Sequence, residues 1–261
     1  MLTAIWTYRF FILSSIRNEL RLRFVRSKLG GLWMIIHPLA QVLIFSLILS
    51  EILSAKLPGI DNKYAYALYL MSGTIAWNLF NDVITRFVTL FVDNAGLMKK
   101  MAFPRICLPV ISAGYVLVNN LLLIAAVFLV FALLGHMPGI QVLWLPLLVA
   151  VNLLFACSIG LLLATLNVFI RDTGQVVPVV MQALFWLTPV VYMLSILPER
   201  LQHYFKLNPL YPLVTGYQNV LVFNTPPPLS SLADLCVVSL LIMSFALFLF
   251  RKAVVEMVDV L

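Results

Sequence analysis

"ICLPVISAGYVLVNNLLLIAAVFLVFALLGHMPGIQVLWLPLLVAVNLLFACSIGLLLATLNVFI", residues 106–170, contains no Asp, Glu, Lys or Arg. A helix crosses the hydrocarbon core of a bilayer with about 20 apolar residues, so the run is too long for one crossing. Gly135, His136, Met137, Pro138 and Gly139 interrupt it with turn formers, dividing it into two spans. The whole chain agrees: of 261 residues 63% are hydrophobic and only 10% charged, with a mean hydropathy of +1.05. A soluble domain exposes far more charge. The fold class is therefore all-α integral membrane, in one bundle.

Outward from this run, residues 64–92 supply the preceding span and 32–53 the first. On the other side Arg171 and Asp172 close span four. Span five is expected over 173–197, and span six over 235–250 with an extension before Asp234. Six transmembrane helices put both termini on one side. With the N-terminus inside, the inner segments hold Arg9, Arg17, Arg21, Arg23, Arg26, Lys28, Lys99, Lys100, Arg105, Arg171, Arg251 and Lys252. The outer ones hold only Lys56, Lys63, Arg200 and Lys206. Basic residues collect on cytoplasmic loops, so both termini are placed in the cytoplasm. The same rule explains the net charge of +7 without nucleic acid as a partner. The first 28 residues are too charged for a cleaved signal.

Residues 1–30 read as an amphipathic interfacial helix. Ile12, Leu13, Ile16, Leu20 and Phe24 fall on one stripe, with Arg17 and Arg21 away from it; Arg23 falls on the stripe and can snorkel. A basic amphipathic helix lies in the headgroup layer. The alternative is a solvated leader that only sets topology. Residues 31–261 form the membrane domain.

The inner link between spans two and three, "DNAGLMKKMAFPRICLP" (93–109), is dense in polar chemistry. Asp93 and Asn94 suit a helix start, Lys99 and Lys100 suit a helix C-terminus, and Pro104 stops continuation. A helix of about two turns is expected over 94–101; a plain basic loop would explain the lysines but not the punctuation. Between spans five and six, residues 195–230 are too apolar for a solvated loop. "SILPERLQHYFK" and "LVTGYQNVLVF" could each form a short helix, with a reversal at Pro209 and Pro212. Such helices enter the leaflet and return, which irregular backbone tolerates only against protein or water. A folded extracellular cap is the alternative.

These stretches carry a resemblance. "NAGLMKKMAFPRICLP" resembles the cytoplasmic loop of ABC-2-type permeases that export O-antigen, capsule and teichoic acid polysaccharides. "RNELRLRFVRSKLGGLWMIIHPL", "SGTIAWNLF", "LNVFIRDTGQVVP" and "TPVVYMLSILPERLQHYFKLNPLYPLV" resemble further segments of that family in the same order. One departure is Ile106-Cys107, where most family loops carry an acidic residue after the proline-arginine pair. The resemblance implies a homodimer in the bacterial inner membrane, moving lipid-linked polysaccharide with two separate ATP-binding cassette subunits. The short helix would be the coupling helix, meeting the ATPase through Asn94, Leu97, Met98, Lys99, Lys100, Phe103, Pro104 and Arg105. The interfacial helix would also touch the ATPase, through Arg17, Arg21, Arg23 and Arg26. The segment at about 195–228 would be an outer gate, with Pro198, Glu199, Asn208 and Pro209. Spans one and five would wall the channel. O-antigen-type cargo is the first expectation; capsule or teichoic acid export, or a drug- or lipid-exporting ABC-2 permease, are alternatives.

The chain has no G-x-x-x-x-G-K-[ST] phosphate loop. It is not expected to be an enzyme: it would bind no cofactor or metal itself, and ATP and Mg would sit on the partner subunit. Cys107, Cys157 and Cys236 are too scattered for a metal or redox pair. A secondary transporter would want several mid-membrane carboxylates and an internal repeat, and a membrane-embedded enzyme an acidic cluster at one face; neither pattern is present. Asp82 and Arg86 share a helix face, either as a functional pair or as a neutralised structural one. Asn119, Asn120, Asn152 and Gln182 could bond between helices, and Ala156, Gly160 and Ala164 form a small-residue stripe for close packing. Trp33, Phe45, Trp77, Phe80, Phe185, Trp186 and Tyr192 are candidate channel aromatics, since aromatic faces bind the C–H face of a sugar without fixing one hydroxyl pattern. Interfacial anchoring or packing competes for each of them.

Overall fold

The charge-free run folds as two helices that part at the glycine- and proline-bearing turn. The computed structural model describes residues 2–22, 65–100 and 104–260, with single positions 32, 33, 36 and 40. Among the described residues all regular structure is helical. Helices α1 (Leu2–Thr7) and α2 (Arg9–Leu22) lead to α3 (Ala65–Asp93), α4 (Ala95–Lys100) and α5 (Cys107–Leu133). A 3-10 turn (Ile140–Trp144) opens α6 (Leu145–Phe169), followed by α7 (Thr173–Trp186), α8 (Glu199–Lys206), α9 (Tyr211–Gln218), a π turn (Asn219–Phe223) and α10 (Leu229–Val260).

Among the described residues, four stretches are long and apolar enough to cross a membrane: Ala65–Asp93, Cys107–Leu133, Ile140–Phe169 and Leu229–Val254. They are the expected spans two, three, four and six. The expected first span, 32–53, lies outside the described residues except for the single positions. The fifth needs correction. It is not one helix over 173–197 but α7, with 14 residues, about 21 Å of rise against roughly 30 Å of hydrocarbon. Pro189 is the cause: it disfavours helical geometry at Thr188 and has no N–H to donate. The Leu187 N–H closes the last turn on the Ala183 carbonyl.

α3 sits at the centre, packed by α5, α6, α7 and α9. The stripe on α6 works as its residue sizes suggest. A Cβ added to Gly160 would lie 2.9 Å from Cδ1 and 3.0 Å from Cβ of Phe87 on α3. Gly160→Val is expected to lose about 1–3 kcal/mol, the usual cost of overpacking, visible as a lower Tm in detergent. Three amides then tie neighbours to the α3 backbone. Asn120 Nδ2 donates to the Ile75 carbonyl (3.2 Å), Asn152 Nδ2 to Ala76 (2.8 Å) and Asn167 Nδ2 to Val88 (2.8 Å). Asn120 and Asn152 thus bridge helices as expected; Gln182 is exposed instead.

The N-terminal stripe is turned from its expected heading. Ile12 is buried with Cys107 and Ile111 of α5, and Ile5 and Ile16 pack against them. Gly114 makes room: a Cβ there would meet Ile16 Cδ1 at 2.5 Å. Leu13, by contrast, is 62% exposed. One flank of α2 is therefore spent on protein, and a second apolar edge, Trp6, Phe10 and Leu13, faces outward. The expected stripe merged two faces because apolar residues occur on both.

The bundle has two distinct ends. At one, α4 joins α3 to α5, Phe91 stacks on Phe250 of α10 at 5.4 Å, and Arg105 donates to the Val254 carbonyl at 2.7 Å. α2 packs at this same end, so the N-terminal helix and the end of α10 share a side. At the far end lie the 134–139 turn and residues 187–228. His136 Nε2 meets the Leu221 carbonyl there at 2.9 Å.

Candidate functional site: a short connector helix and an inserted far-end hairpin

α4 is six residues long. Its start differs from expectation in one detail. The Asn94 side chain does not cap α4; its Nδ2 turns back to the Leu90 carbonyl at 2.8 Å. The backbone carbonyl of Asn94 instead accepts from Leu97 and Met98, both at 3.0 Å. Asn94 thus closes α3 with its side chain and opens α4 with its main chain. Met98 is 4% exposed and roots α4 in the core, while Leu97 and Lys99 face outward. Lys99 and Lys100 end the helix, where the dipole favours cations. Phe103 lies outside the described residues. Pro104 and Arg105 are half-buried, and the Pro104 carbonyl accepts from the Cys107 N–H at 2.9 Å. Arg105, bonded to α10, makes the connector an anchored part of the bundle. On α2, Arg17 and Arg21 are exposed; Arg23 and Arg26 lie outside the described residues.

At the far end, α8 and α9 are the two short helices expected between spans five and six. α8 is on the surface with Pro198 and Glu199 exposed. α9 is inserted: Leu213, Val214, Tyr217 and Gln218 are buried, against α3 and α6. Gly73 of α3 and Gly216 of α9 permit this approach, since a Cβ on Gly73 would meet Gln218 Nε2 at 3.0 Å and one on Gly216 would meet Leu148 Cδ2 at 2.7 Å. Backbone of this kind is satisfied by protein rather than lipid.

Asn208, just before the exposed Pro209, is the fastener of the hairpin. Its Nδ2 donates to the Leu187 carbonyl (3.1 Å) and Thr188 Oγ1 (2.9 Å), and its Oδ1 accepts from the Leu210 N–H (2.9 Å). Asn208→Ala is expected to cost about 1–3 kcal/mol and to increase hydrogen exchange in residues 187–210.

Of the candidate channel aromatics, the structure joins four in a ladder. Phe80 is 6.3 Å from Trp77, Trp77 is 5.2 Å from Phe185, and Phe185 is 5.6 Å from Trp186. Phe155, which sequence reasoning missed, extends it by stacking on Phe80 at 5.5 Å. Trp77 (8% exposed) and Phe80 (2%) pack inside the subunit, while Trp186 is 61% exposed. Tyr192 is half-buried and its hydroxyl donates to the Trp186 carbonyl at 2.7 Å. Trp33 is about half exposed, and Phe45 lies outside the described residues. Also missed were Tyr66 and Tyr69, whose hydroxyls donate to the Val191 and Tyr192 carbonyls. Two tyrosines three apart in an apolar span were the available signal, because buried hydroxyls need acceptors. Arg86, on one helix face with Asp82 by spacing, has a partner on another helix as well. It forms an ion pair with Glu19 of α2 and lies 4.1 Å over the Tyr115 ring.

A profile of the ABC-2 type transporter family matches residues 11–222. The chain belongs to the ABC-2 type transporter family. The matched range takes in most of α2, the connector helix, the amide ties and the inserted hairpin. Among curated ABC-2 relatives, the O-antigen export system permease protein RfbA of Klebsiella pneumoniae is 26% identical over 220 residues, covering 84% of this chain and 83% of the relative. The protein of the same name from Myxococcus xanthus is 25% identical over 254 residues, covering 97% and 95%. The polysialic acid transport protein KpsM of Escherichia coli is 24% identical over 201 residues, covering 74% of each.

Proposed function

We propose that this chain is the transmembrane permease subunit of an ATP-driven exporter of lipid-linked polysaccharide, with O-antigen-type glycan as cargo. The observation that carries the reading is the near end-to-end similarity to an O-antigen export permease, over 97% of this chain. Two copies form the channel in the bacterial inner membrane, and two ATP-binding cassette subunits, which hold ATP and Mg, dock at the connector end. That end faces the cytoplasm, so both termini do. Each copy counts six crossings, with 32–53 as the first; α7 covers the inner part of the fifth and the chain beyond Pro189 the remainder.

α4 acts as the coupling helix. Its exposed Leu97 and the charges of Lys99 and Lys100 meet the ATPase, and Met98 and Arg105 pass the movement to the bundle. α2 lies in the headgroup layer on the Trp6, Phe10 and Leu13 edge; Arg9 sits over both Trp6 and Phe10, at 4.9 and 4.5 Å, beside the lipid phosphates, while Arg17 and Arg21 turn toward water and the ATPase. At the exit, α8 and α9 gate the channel, with Phe185, Trp186 and Tyr192 offering faces to sugar. The polysialic acid relative keeps capsule export as a second reading. Reconstitution with candidate ATPases tests the proposal: lipid-linked glycan should stimulate hydrolysis and reach the far side. A deletion strain that still displays its long surface glycans refutes it.

A further inference from the structure

Arg86 joins three helices. It belongs to α3, its guanidinium lies 4.1 Å over the Tyr115 ring of α5, and it forms the ion pair with Glu19 of α2. The pair links two helices that are far apart in sequence. Beside it opens a polar cavity of about 680 Å³, walled by Glu19 and Leu22 of α2, Asp82 and Thr85 of α3, and Val116 and Asn119 of α5. α2 is also held by apolar contacts: Ile12 and Ile16 lie on the first turns of α5, and Leu20 packs against the main core. Glu19 stands about two turns beyond Ile12 and less than one beyond Ile16, and it reaches a different helix, α3.

We propose that Glu19 and Arg86 form a latch that fastens the N-terminal helix to α3, so that a push on α2 reaches the central helix without passing through α4. Packing holds α2 chiefly along α5. The ion pair adds the second attachment, and two attachments on different helices fix the direction of α2 as well as its position. The Tyr115 ring holds the guanidinium in place from the other side, since a cation is attracted to a ring face. The two side chains are each about one-third exposed (34% and 35%), and the adjoining cavity gives them room to part. The pair is therefore a releasable contact rather than a permanent weld. Glu19 and Arg86 are positioning residues: they orient α2 and touch no cargo. The role in coupling rests on the proposed function; the fastening itself does not.

A double-mutant cycle on the full chain separates the two. Hydrogen exchange of residues 9–22 is measured in nanodiscs for the parent, Glu19→Gln, Arg86→Gln and the double variant. An ion pair at this depth is worth about fivefold in the opening equilibrium, so each single change should speed exchange roughly fivefold. The double variant should be no faster than the quicker single, because the interaction is lost once. Singles that exchange like the parent, or effects that multiply to roughly 25-fold, overturn the latch. Glycan display in cells is the second arm. Both singles should lower it while amounts in the membrane stay level, with Arg86→Lys keeping more than Arg86→Gln. Full display by singles whose exchange is accelerated overturns the coupling role. If the parent gene itself does not support glycan display, the proposed cargo is wrong, and the exchange cycle still decides the latch.

Discussion

Replacing Lys99 and Lys100 together by Glu should reduce export roughly tenfold or more, the range for reversing charges at a docking contact, while ATP hydrolysis by the partner continues. The effect follows from how α4 is built. Met98 alone of its described side chains is buried, and Lys99 is exposed, so a change at Lys99 removes no core contact. Two carboxylates would also sit at the negative end of a helix, a local penalty of a few tenths of a kcal/mol up to about 1 kcal/mol each. That is too small to unfold an element rooted by Met98 and held by Arg105. Membrane yield should therefore match the parent, and the ratio of glycan exported to ATP consumed is the quantity to measure. Export at the parental rate in K99E/K100E would remove α4 from the force path.

Gly73→Val should be the most damaging single change at the far end. The added Cβ would lie 3.0 Å from Gln218 Nε2 and 3.0 Å from the Val190 carbonyl oxygen. The amide can swing away; the main-chain oxygen cannot, because Thr188, Tyr66 and Tyr69 fix the segment around it. Swinging the amide also breaks the 3.3 Å bond from Gln218 to the Pro189 carbonyl. The expected loss is about 3 kcal/mol, the upper part of the overpacking range, and the damage should be confined to the outer hairpin. Exchange should rise in residues 187–223 and stay unchanged in α2 and α4. Gly73→Ala should fall between. A variant with parental exchange and parental export would show that α9 need not sit where it does.

Much of the fold was legible because membrane burial writes itself as long apolar runs. Spans two, three, four and six and both short far-end helices could be placed from hydropathy and turn formers. Span five was misjudged because its residues stay apolar past Pro189, and hydropathy does not register a missing N–H. α2 was read at the wrong rotation because Ile12 and Leu13 are neighbours in any apolar count, though one is buried and the other open. The Glu19 partner of Arg86 was out of reach for a different reason. Spacing rules pair a charge with its own helix, and Glu19 is 67 positions away. The connector helix was the easiest short element to place, since a proline and two lysines mark it locally. The aromatic ladder was half readable: the residues could be named, but which rings lie inside and which outside depends on packing between α3, α6 and α7.

The asparagine ties have an odd polarity. In each, the donor is a side chain on a neighbouring helix and the acceptor is the main chain of α3. Main-chain oxygens survive every amino-acid exchange, so α3 could be rewritten residue by residue without deleting one of these clasps. The loss can be inflicted only from outside, at 120, 152 or 167. A saturation library should therefore show a lopsided tolerance map: amide-specific intolerance at those three positions, and at 75, 76 and 88 a demand for fit and nothing more.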